Sequence, residues 1–536
     1  MQHRRSLSLA ATLAAAVLVL STAGCSGQGS PGPSDAKYVS GGTFVKSIGA
    51  DPGNLNPFKM IALEGWEILT YAYESLVYET PDNKFVPWLA DSWEETGTKV
   101  TFKIRKGITC SDGSDFTAET AAKNINYNAD PANATFYYGS QVTEAIKATA
   151  DGDTLTVTST VNDPFLMVNT GTIFMVCQPG LDDPKSLADK TDGTGLFALS
   201  DVKSGDSYTF TKRDDYTWGP PDGGKGDRVT SKTVGLPDTL EIRVIADEST
   251  AANLLLSGEL NAAVVVGPDR SRLEGAGLKS VGVRNSVGEM LFNEKKGRIL
   301  ADEKVREALT LALDRKQVGD VVANGKGIPA ISLVTKSPLL CVVDPPQWKL
   351  PDKDLAKAKE LLDEDGWTVG SDGTRSKDGK PLKITFIYDA ATATHAPAAE
   401  LVKEAWDKLG VTTELHANDA ADWSSKLFQT FDWDTGFVQI APGSPMVLST
   451  FFAAKGPDQA GLNFMFVDNP EYNALVAQAK QASPEDACGL WQDAEAKLID
   501  RVDAYPLIDN MLPTWQSGAV FERPNYIPPT SIRMLG

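Results

Sequence analysis

Apolar and polar positions alternate along Thr154 to Ser159 (TLTVTS) and along Thr98 to Ile104 (TKVTFKI), where Val100, Phe102 and Ile104 share one face. Period two on a half-apolar stretch predicts strands that bury one side. The same argument makes strands of Thr239 to Ala246 and Leu382 to Tyr388. A β-branched stretch with Phe44, Val45 and Ile48 reads as a strand running into the turn that ends at Pro57. Helical spacing takes over elsewhere. A helix is expected from about Gly65 to Glu74, and another after Phe116, with Thr117 as its N-cap and Glu119 in its first turn. Ser249 to Glu259 carries an apolar stripe through Leu254 and Leu255. Asp302 to Val318 places Val305, Ala308, Leu309, Ala312 and Leu313 on one face and predicts a single helix. Asp354 to Leu362 and Ala396 to Leu409 repeat the pattern, the second stopped by Gly410. Helix and strand alternate throughout without a 20–50-residue repeat, which argues for an α/β protein of two lobes rather than a bundle, an all-β barrel or a solenoid.

Composition narrows the function. The 536 residues carry 51 basic and 71 acidic side chains, a net charge of −20, with 42% hydrophobic residues. Such a chain is long enough for two to four compact units and offers no electrostatic footprint for nucleic acid. Three histidines, His3, His395 and His416, are too few for His-rich metal cages, so neither a metal site nor a cofactor is expected. Gly193-Thr-Gly195-Leu-Phe-Ala198 matches a dinucleotide fingerprint in letters but lacks the preceding buried strand and the following long helix. No nucleophile elbow, phosphate loop, zinc-protease motif or calcium loop occurs in the sequence, and no catalytic residue is assigned. Recognition remains. Eleven Trp, thirteen Tyr and twenty Phe supply surfaces of the kind that line ligand clefts, among them Trp66, Phe136-Tyr137-Tyr138, Trp218, Trp423 and Trp433.

Residues 1–24 are a basic start with Arg4 and Arg5, an apolar run shorter than the ~20 residues of a membrane span, and small residues before Cys25. This is an export signal. The Gly/Ser/Pro stretch from Cys25 to 37 follows as a flexible tether. Thr22-Ala23-Gly24-Cys25 resembles a bacterial lipoprotein processing site, with Thr22 where that pattern prefers Leu, and implies lipidation of Cys25 and anchoring to the outer face of the cell membrane. Export puts Cys110, Cys177, Cys341 and Cys488 where disulfides persist; four cysteines allow three pairings.

Tyr73-Glu-Ser-Leu-Val-Tyr-Glu-Thr-Pro-Asp-Asn-Lys-Phe-Val-Pro-Trp-Leu-Ala-Asp-Ser-Trp-Glu94, Val100-Thr-Phe-Lys-Ile-Arg-Lys-Gly107 and Cys110-Ser-Asp-Gly-Ser-Asp-Phe-Thr-Ala-Glu119 resemble extracytoplasmic solute-binding proteins of the peptide/nickel ABC-importer class. Tyr216-Thr-Trp-Gly, Leu255 to Asn261, Val305 to Arg315 and Asp468 to Leu475 continue the likeness in order to the C-terminus. The resemblance implies a hinge-closing, two-lobe periplasmic-binding-protein-like fold with an extra subdomain in the first lobe. Lobe one would hold 38–280 and 505–536, with the subdomain near 82–190, and lobe two 281–504. On that division Cys110 pairs with Cys177 in one lobe and Cys341 with Cys488 in the other.

The implied function is a monomeric binding lipoprotein that captures a solute and delivers it to ABC permease subunits, an oligopeptide or modified peptide being the first expectation. A non-peptide solute such as an oligosaccharide is the alternative; an exported hydrolase or a non-transporting receptor stands behind both. By position, the family's ligand-facing residues correspond to Leu63, Glu64 and Trp66 after the first strand, Tyr137 in the subdomain, His395, Trp423, and Phe437, Gln439 and Ala441 of the segment Phe437 to Pro445. Many relatives carry there an Asp that pairs with a peptide's α-ammonium, and this sequence has Ala441. An ammonium buried without its carboxylate costs about 3–5 kcal/mol. A free peptide amino terminus therefore needs another acid, for which Glu64 is the candidate.

Overall fold

The computed structural model describes residues 37–536 apart from Lys225 and Ala460. The export signal at 1–24, Cys25 and nearly all of the 25–37 tether lie outside the described residues. Two sheets organise the rest. The larger has eight strands, in spatial order Lys279–Ser286, Asp509–Gln516, Ala262–Val264, Thr43–Ile48, Thr239–Val244, Ser207–Lys212 and Phe197–Lys203, with Gly327–Ile328 pairing on Asp509–Gln516. Thr43–Ile48 runs parallel to both of its neighbours, and the flanking pairs are antiparallel. The smaller sheet has five strands in the order Thr412–Asn418, Lys383–Asp389, Thr435–Phe437, Glu289–Phe292 and Ala504–Pro506. Each sheet has its own apolar core, one around Phe44, Leu240 and Ile242, the other around Phe292, Ile384 and Phe386.

The chain passes from the larger to the smaller sheet after Ser286 and returns after Pro506, so two short connections lie side by side. The amides of Val287 and Gly288 donate to Ile508 O at 3.4 and 3.2 Å, and Leu507 N donates to Gly288 O at 3.2 Å. A third, antiparallel sheet of four strands (Ala90–Thr96, Lys99–Ile104, Thr154–Ser159, Ile146–Asp151) carries the helix Ala118–Ala129. Thr117 caps that helix, its Oγ1 accepting from Thr120 N at 3.3 Å.

The helix expected over Asp302 to Val318 is two helices, Glu303–Leu311 and Arg315–Val322. Asp302 caps the first, accepting from Lys304 N, and Asp314 the second, accepting from Gln317 N, each at 3.0 Å. A short acid at a helix start competes for backbone amides and ends the preceding turn. Val305, Ala308, Leu309, Ala312 and Leu313 stay buried across the break, which is why the apolar spacing alone runs through it. Gly195 of the Gly-x-Gly stretch packs against the preceding helix end: a Cβ there would lie 2.7 Å from Ala72 O, and Gly195 N donates to that oxygen at 2.9 Å. Disulfides join Cys110 to Cys177 and Cys341 to Cys488, closing loops of 67 and 147 residues. Among the described residues no helix is long and apolar enough to cross a membrane.

Candidate functional site

A cavity of about 1150 Å³ opens beside the strand Thr43–Ile48. Its floor is the end of that strand (Lys46 to Gly49), the first turn of the helix Leu63–Ala72, and the face of the paired strands Lys279–Ser286 and Asp509–Gln516. The loop Thr335–Leu339 and Ala441, next to the smaller sheet, also line it, as does the C-terminal segment Phe521–Tyr526. Local hydrogen bonds fix these walls. Thr335 N and Lys336 N both donate to Pro442 O at 3.2 Å, and Ser337 Oγ binds the Glu79 carboxylate. Ile527 N donates to Glu67 Oε1 at 3.2 Å, and Glu522 N to Ser531 Oγ at 3.1 Å, so the C-terminal segment is pinned at both ends.

The polar groups of the lining divide by whether they already have partners. Lys46 Nζ lies 2.7 Å from Glu67 Oε2, both side chains at most 5% exposed. Burial pulls the Lys46 ammonium down to about 8, with Glu67 pushing the other way. Burial would push the Glu67 carboxyl up, but Lys46 and Arg523 outweigh it and hold it below its ordinary value. Arg284 is likewise spent, donating to Asp509 Oδ2 at 2.7 Å and to Pro329 O at 2.8 Å. Burial pushes the Asp509 carboxyl up to about 6. Two cations differ. Arg523 donates through Nη1 to Thr514 Oγ1, while its buried Nε has no partner and no carboxylate sits in ion-pair range among the described residues. Lys336 is half-buried, also without a carboxylate partner among them, and burial alone pulls its ammonium below the usual lysine value.

Of the residues chosen from the sequence, Leu63, Glu64 and Ala441 line this cavity. The others lie outside its lining. Trp66 is buried in an aromatic cluster, with ring centroids 5.1 Å from Phe136, 5.8 Å from Tyr137 and 5.5 Å from Phe174. The Tyr137 hydroxyl is used by Phe174 N at 3.2 Å. His395 begins the helix His395–Asp407, is buried, and lies 5.2 Å from the Phe437 ring; burial holds its pKa below the usual imidazole value. Phe437 is itself core, edge-on to Phe386. Trp423 packs half-buried against the smaller sheet's core, and Gln439 is exposed beyond the lining. Lys46, Glu67, Lys336 and Arg523 were not singled out by sequence. Lys46 sits in an apolar strand as an isolated charge, the one local signal that could have drawn attention to it. No group of three or more His, Cys, Asp or Glu residues among the described ones could hold a metal ion.

The family model described as bacterial extracellular solute-binding proteins, family 5 Middle, matches residues 84–461, well over half of the chain. Protein XP55 of Streptomyces lividans is 25% identical over 434 residues, covering 78% of this chain and 74% of that one. The oligopeptide-binding protein AppA of Bacillus subtilis is 29% identical over 311 residues, covering 55% of this chain and 52% of its own, so the chain spans about half of AppA in that alignment. Among solved structures, the ABC transporter substrate-binding protein CtaP of Listeria monocytogenes superposes with a TM-score of 0.76 at 19% identity, covering 93% of this chain and 100% of that one. At that identity the likeness is one of fold.

Proposed function

The chain belongs to the bacterial extracellular solute-binding proteins of family 5, and from that premise we propose that it captures an oligopeptide or modified peptide outside the cell and hands it to an ABC permease. The observation that carries the reading is the cavity of about 1150 Å³ between the strands of the larger sheet and the loops beside the smaller one. It exceeds the range of roughly 300–1,000 Å³ typical of small-molecule pockets, which suits an extended solute of several residues. It is lined by charge of both signs, as a zwitterionic chain requires. Glu64 stands in the cavity where a ligand ammonium could be met, in place of the acid that Ala441 replaces. AppA is named for oligopeptide binding, which points the same way.

The lobes we assign are 38–280 with 505–536, including a subdomain near 82–190, and 281–504. The hinge is the pair of connections around Gly288 and Ile508. Three hydrogen bonds between the two connections form a narrow joint, and a ligand that touches both walls binds the closed state better than the open one. We further propose that Cys25 is lipidated, that residues 25–37 tether the protein to the outer face of the membrane, that it acts as a monomer, and that it performs no catalysis. Against the oligosaccharide alternative stands the placement of Trp66, Tyr137 and Trp423 outside the lining, which leaves Phe521 and Tyr526 as its aromatic rings.

The test is native mass spectrometry of the protein purified gently from its own host, followed by fragmentation of any released mass. Release of a peptide is the expected outcome. Release of a glycan overturns the peptide reading.

A further inference from the structure

Away from the joint at Gly288 and Ile508, one loop of the 82–190 subdomain touches the other lobe. Asn162 Nδ2 donates to Lys480 O and to Ala482 O, each at 3.0 Å. Both carbonyls lie in the turn between the helices Pro470–Ala479 and Pro484–Asp500, which belong to the lobe of 281–504. Three residues further on, Phe165 is 6% exposed and packs in the core of the smaller sheet, whereas Leu166, Met167 and Val168 pack in the core of the larger one. The chain thus steps from one core to the other between neighbouring residues. The loop is shaped from its own side. Asp163 N donates to Gly97 O at 2.6 Å, and the Asp163 carboxylate accepts from Phe165 N and from Asn169 Nδ2, each at 2.9 Å. A Cβ on Gly97 would run into the Asn162 carboxamide, so the glycine leaves room for that side chain. Asn162, Phe165, Lys480 and Ala482 all stand outside the cavity lining. A second crossing runs the other way: Leu340, of the 281–504 lobe, packs against both cores, and Ser337 Oγ binds Glu79 of the strand Val77–Glu79.

We propose that the loop 160–165 is a latch that forms as the cleft closes and breaks as it opens, and so sets the ease of closure for every solute alike. The inference rests on the lobe division and hinge given above, with peptides as the test solutes. Rotation about the connections at Gly288 and Ile508 carries the turn 480–483 away from a loop anchored on Gly97. It strips the Asn162 carboxamide of two acceptors and brings the Phe165 ring out of an apolar core, and both changes weigh against the open form. Neither involves the solute. A contact of this kind adds the same free energy to every closed complex, whereas a lining residue adds one that depends on what the solute presents. Because the subdomain already holds the loop in shape, engaging the turn costs little conformational entropy.

The experiment measures, by native mass spectrometry, the affinity of a pool of short peptides of differing charge and side chains for the native protein, Asn162→Ala, Gly97→Ala and the double variant. Asn162→Ala is expected to weaken every retained peptide by one common factor of about three to ten. Gly97→Ala reaches the latch by displacing the Asn162 side chain, so it should reproduce that factor, and the double variant should not exceed it. Phe165→Ala is expected to weaken all of them about tenfold or more. Asn162→Ala keeps the test valid if Phe165→Ala fails to fold. Unchanged affinities overturn the latch and leave the peptide reading standing. Factors that differ from peptide to peptide overturn it too, since they would make Asn162 a specificity contact, and so do additive losses in the double variant. Retention of no peptide refutes the peptide reading instead, and small-angle X-ray scattering of the ligand-free proteins then judges the latch: a larger radius of gyration in Asn162→Ala and Gly97→Ala sustains it, and an unchanged one overturns it.

Discussion

Two buried assemblies of charge, one in each half of the molecule, differ in what they leave unused. In the half built on the smaller sheet, Arg306 is 1% exposed and donates to Val502 O, Leu300 O, Arg501 O and Asp503 Oδ1 at 2.9–3.0 Å, with Glu294 at 3.3 Å. Arg501 adds a second cation on the same two acids. In the half built on the larger sheet, Lys46 and Glu67 pair at 2.7 Å, but the neighbouring Arg523 keeps an unpartnered Nε beside a cavity. In the first assembly the donors of Arg306 are all taken by the chain, although Glu294 Oε1 is itself unpartnered. The second is open toward a void. A buried cation is structural when its donors are consumed by the chain, and available for recognition when they are not.

The sharpest way to break that distinction is Arg306→Met. Removing Arg306 leaves Asp503 and Glu294 with Arg501 as their one cation and strips three backbone carbonyls of their donor, and the expected loss in denaturant unfolding is about 3–5 kcal/mol with ligand affinity unchanged in the folded fraction. A loss below about 1 kcal/mol would put Arg306 in the same class as Arg523. Next in size, opening either disulfide by paired Cys→Ser substitution should cost about 2–4 kcal/mol. The two should separate in binding. Cys341 lies in the loop that carries Lys336, so the Cys341→Ser, Cys488→Ser protein is expected to bind more weakly in calorimetry, while the Cys110→Ser, Cys177→Ser protein keeps its affinity.

A smaller effect comes from a third kind of buried charge, an acid with only neutral donors. Glu74 accepts from Tyr216 Oη at 2.6 Å, Thr194 Oγ1 at 2.8 Å and Trp218 Nε1 at 3.0 Å, and burial pushes its carboxyl up to about 7 against those bonds. The folded protein therefore holds this proton at pH values where the unfolded chain, titrating near 4.5, has released it. Stability from this group is full below that value, falls as pH rises through the window to about 7, and then levels off. Thermal melts of the native protein and of Glu74→Gln across that window should show a shallower slope in the variant; parallel slopes would refute the assignment. Smaller again, Arg523→Gln should cost about 1 kcal/mol of ligand-free stability, the hydrogen bond to Thr514 and the cation's effect on Glu67 being lost while the unpartnered Nε is removed with them. Lys316→Ala, which breaks an exposed pair with Asp320, should leave the melting temperature unmoved.

Much of the scaffold is legible in the sequence because each strand or helix carries its own period. Thr154–Ser159 has the bounds that its alternation predicts, and the helix after Thr117 begins where its cap stands. The break between Leu311 and Arg315 is hidden because the apolar stripe continues through it, and only Asp314 marks it. The site is harder. Trp66 and Tyr137 looked like cleft residues because a core aromatic and a cleft aromatic are the same letter, and nothing local separates them. Glu64 and Ala441 are chosen by family position, and both line the cavity. Lys336 and Arg523 reach the lining of one cavity from positions almost two hundred residues apart, one in an irregular loop and one in the C-terminal segment. Neither carries a periodic signal, and their value depends on what the other walls leave unpaired.

The strand Asp509–Gln516 fills the gap between Lys279–Ser286 and Ala262–Val264, pairing Trp515 with Ala263 and with Ser280. Until it arrives, two neighbouring strands have open edges, and the segment with Arg523 has no place to dock. The cavity is thus among the last things this polypeptide can assemble as it emerges from the ribosome or the export channel. Contacts of such long sequence separation are slow to form, and a larger sheet that cannot close until its last strand in the sequence is made leaves the chain threadable through a membrane pore for as long as that takes.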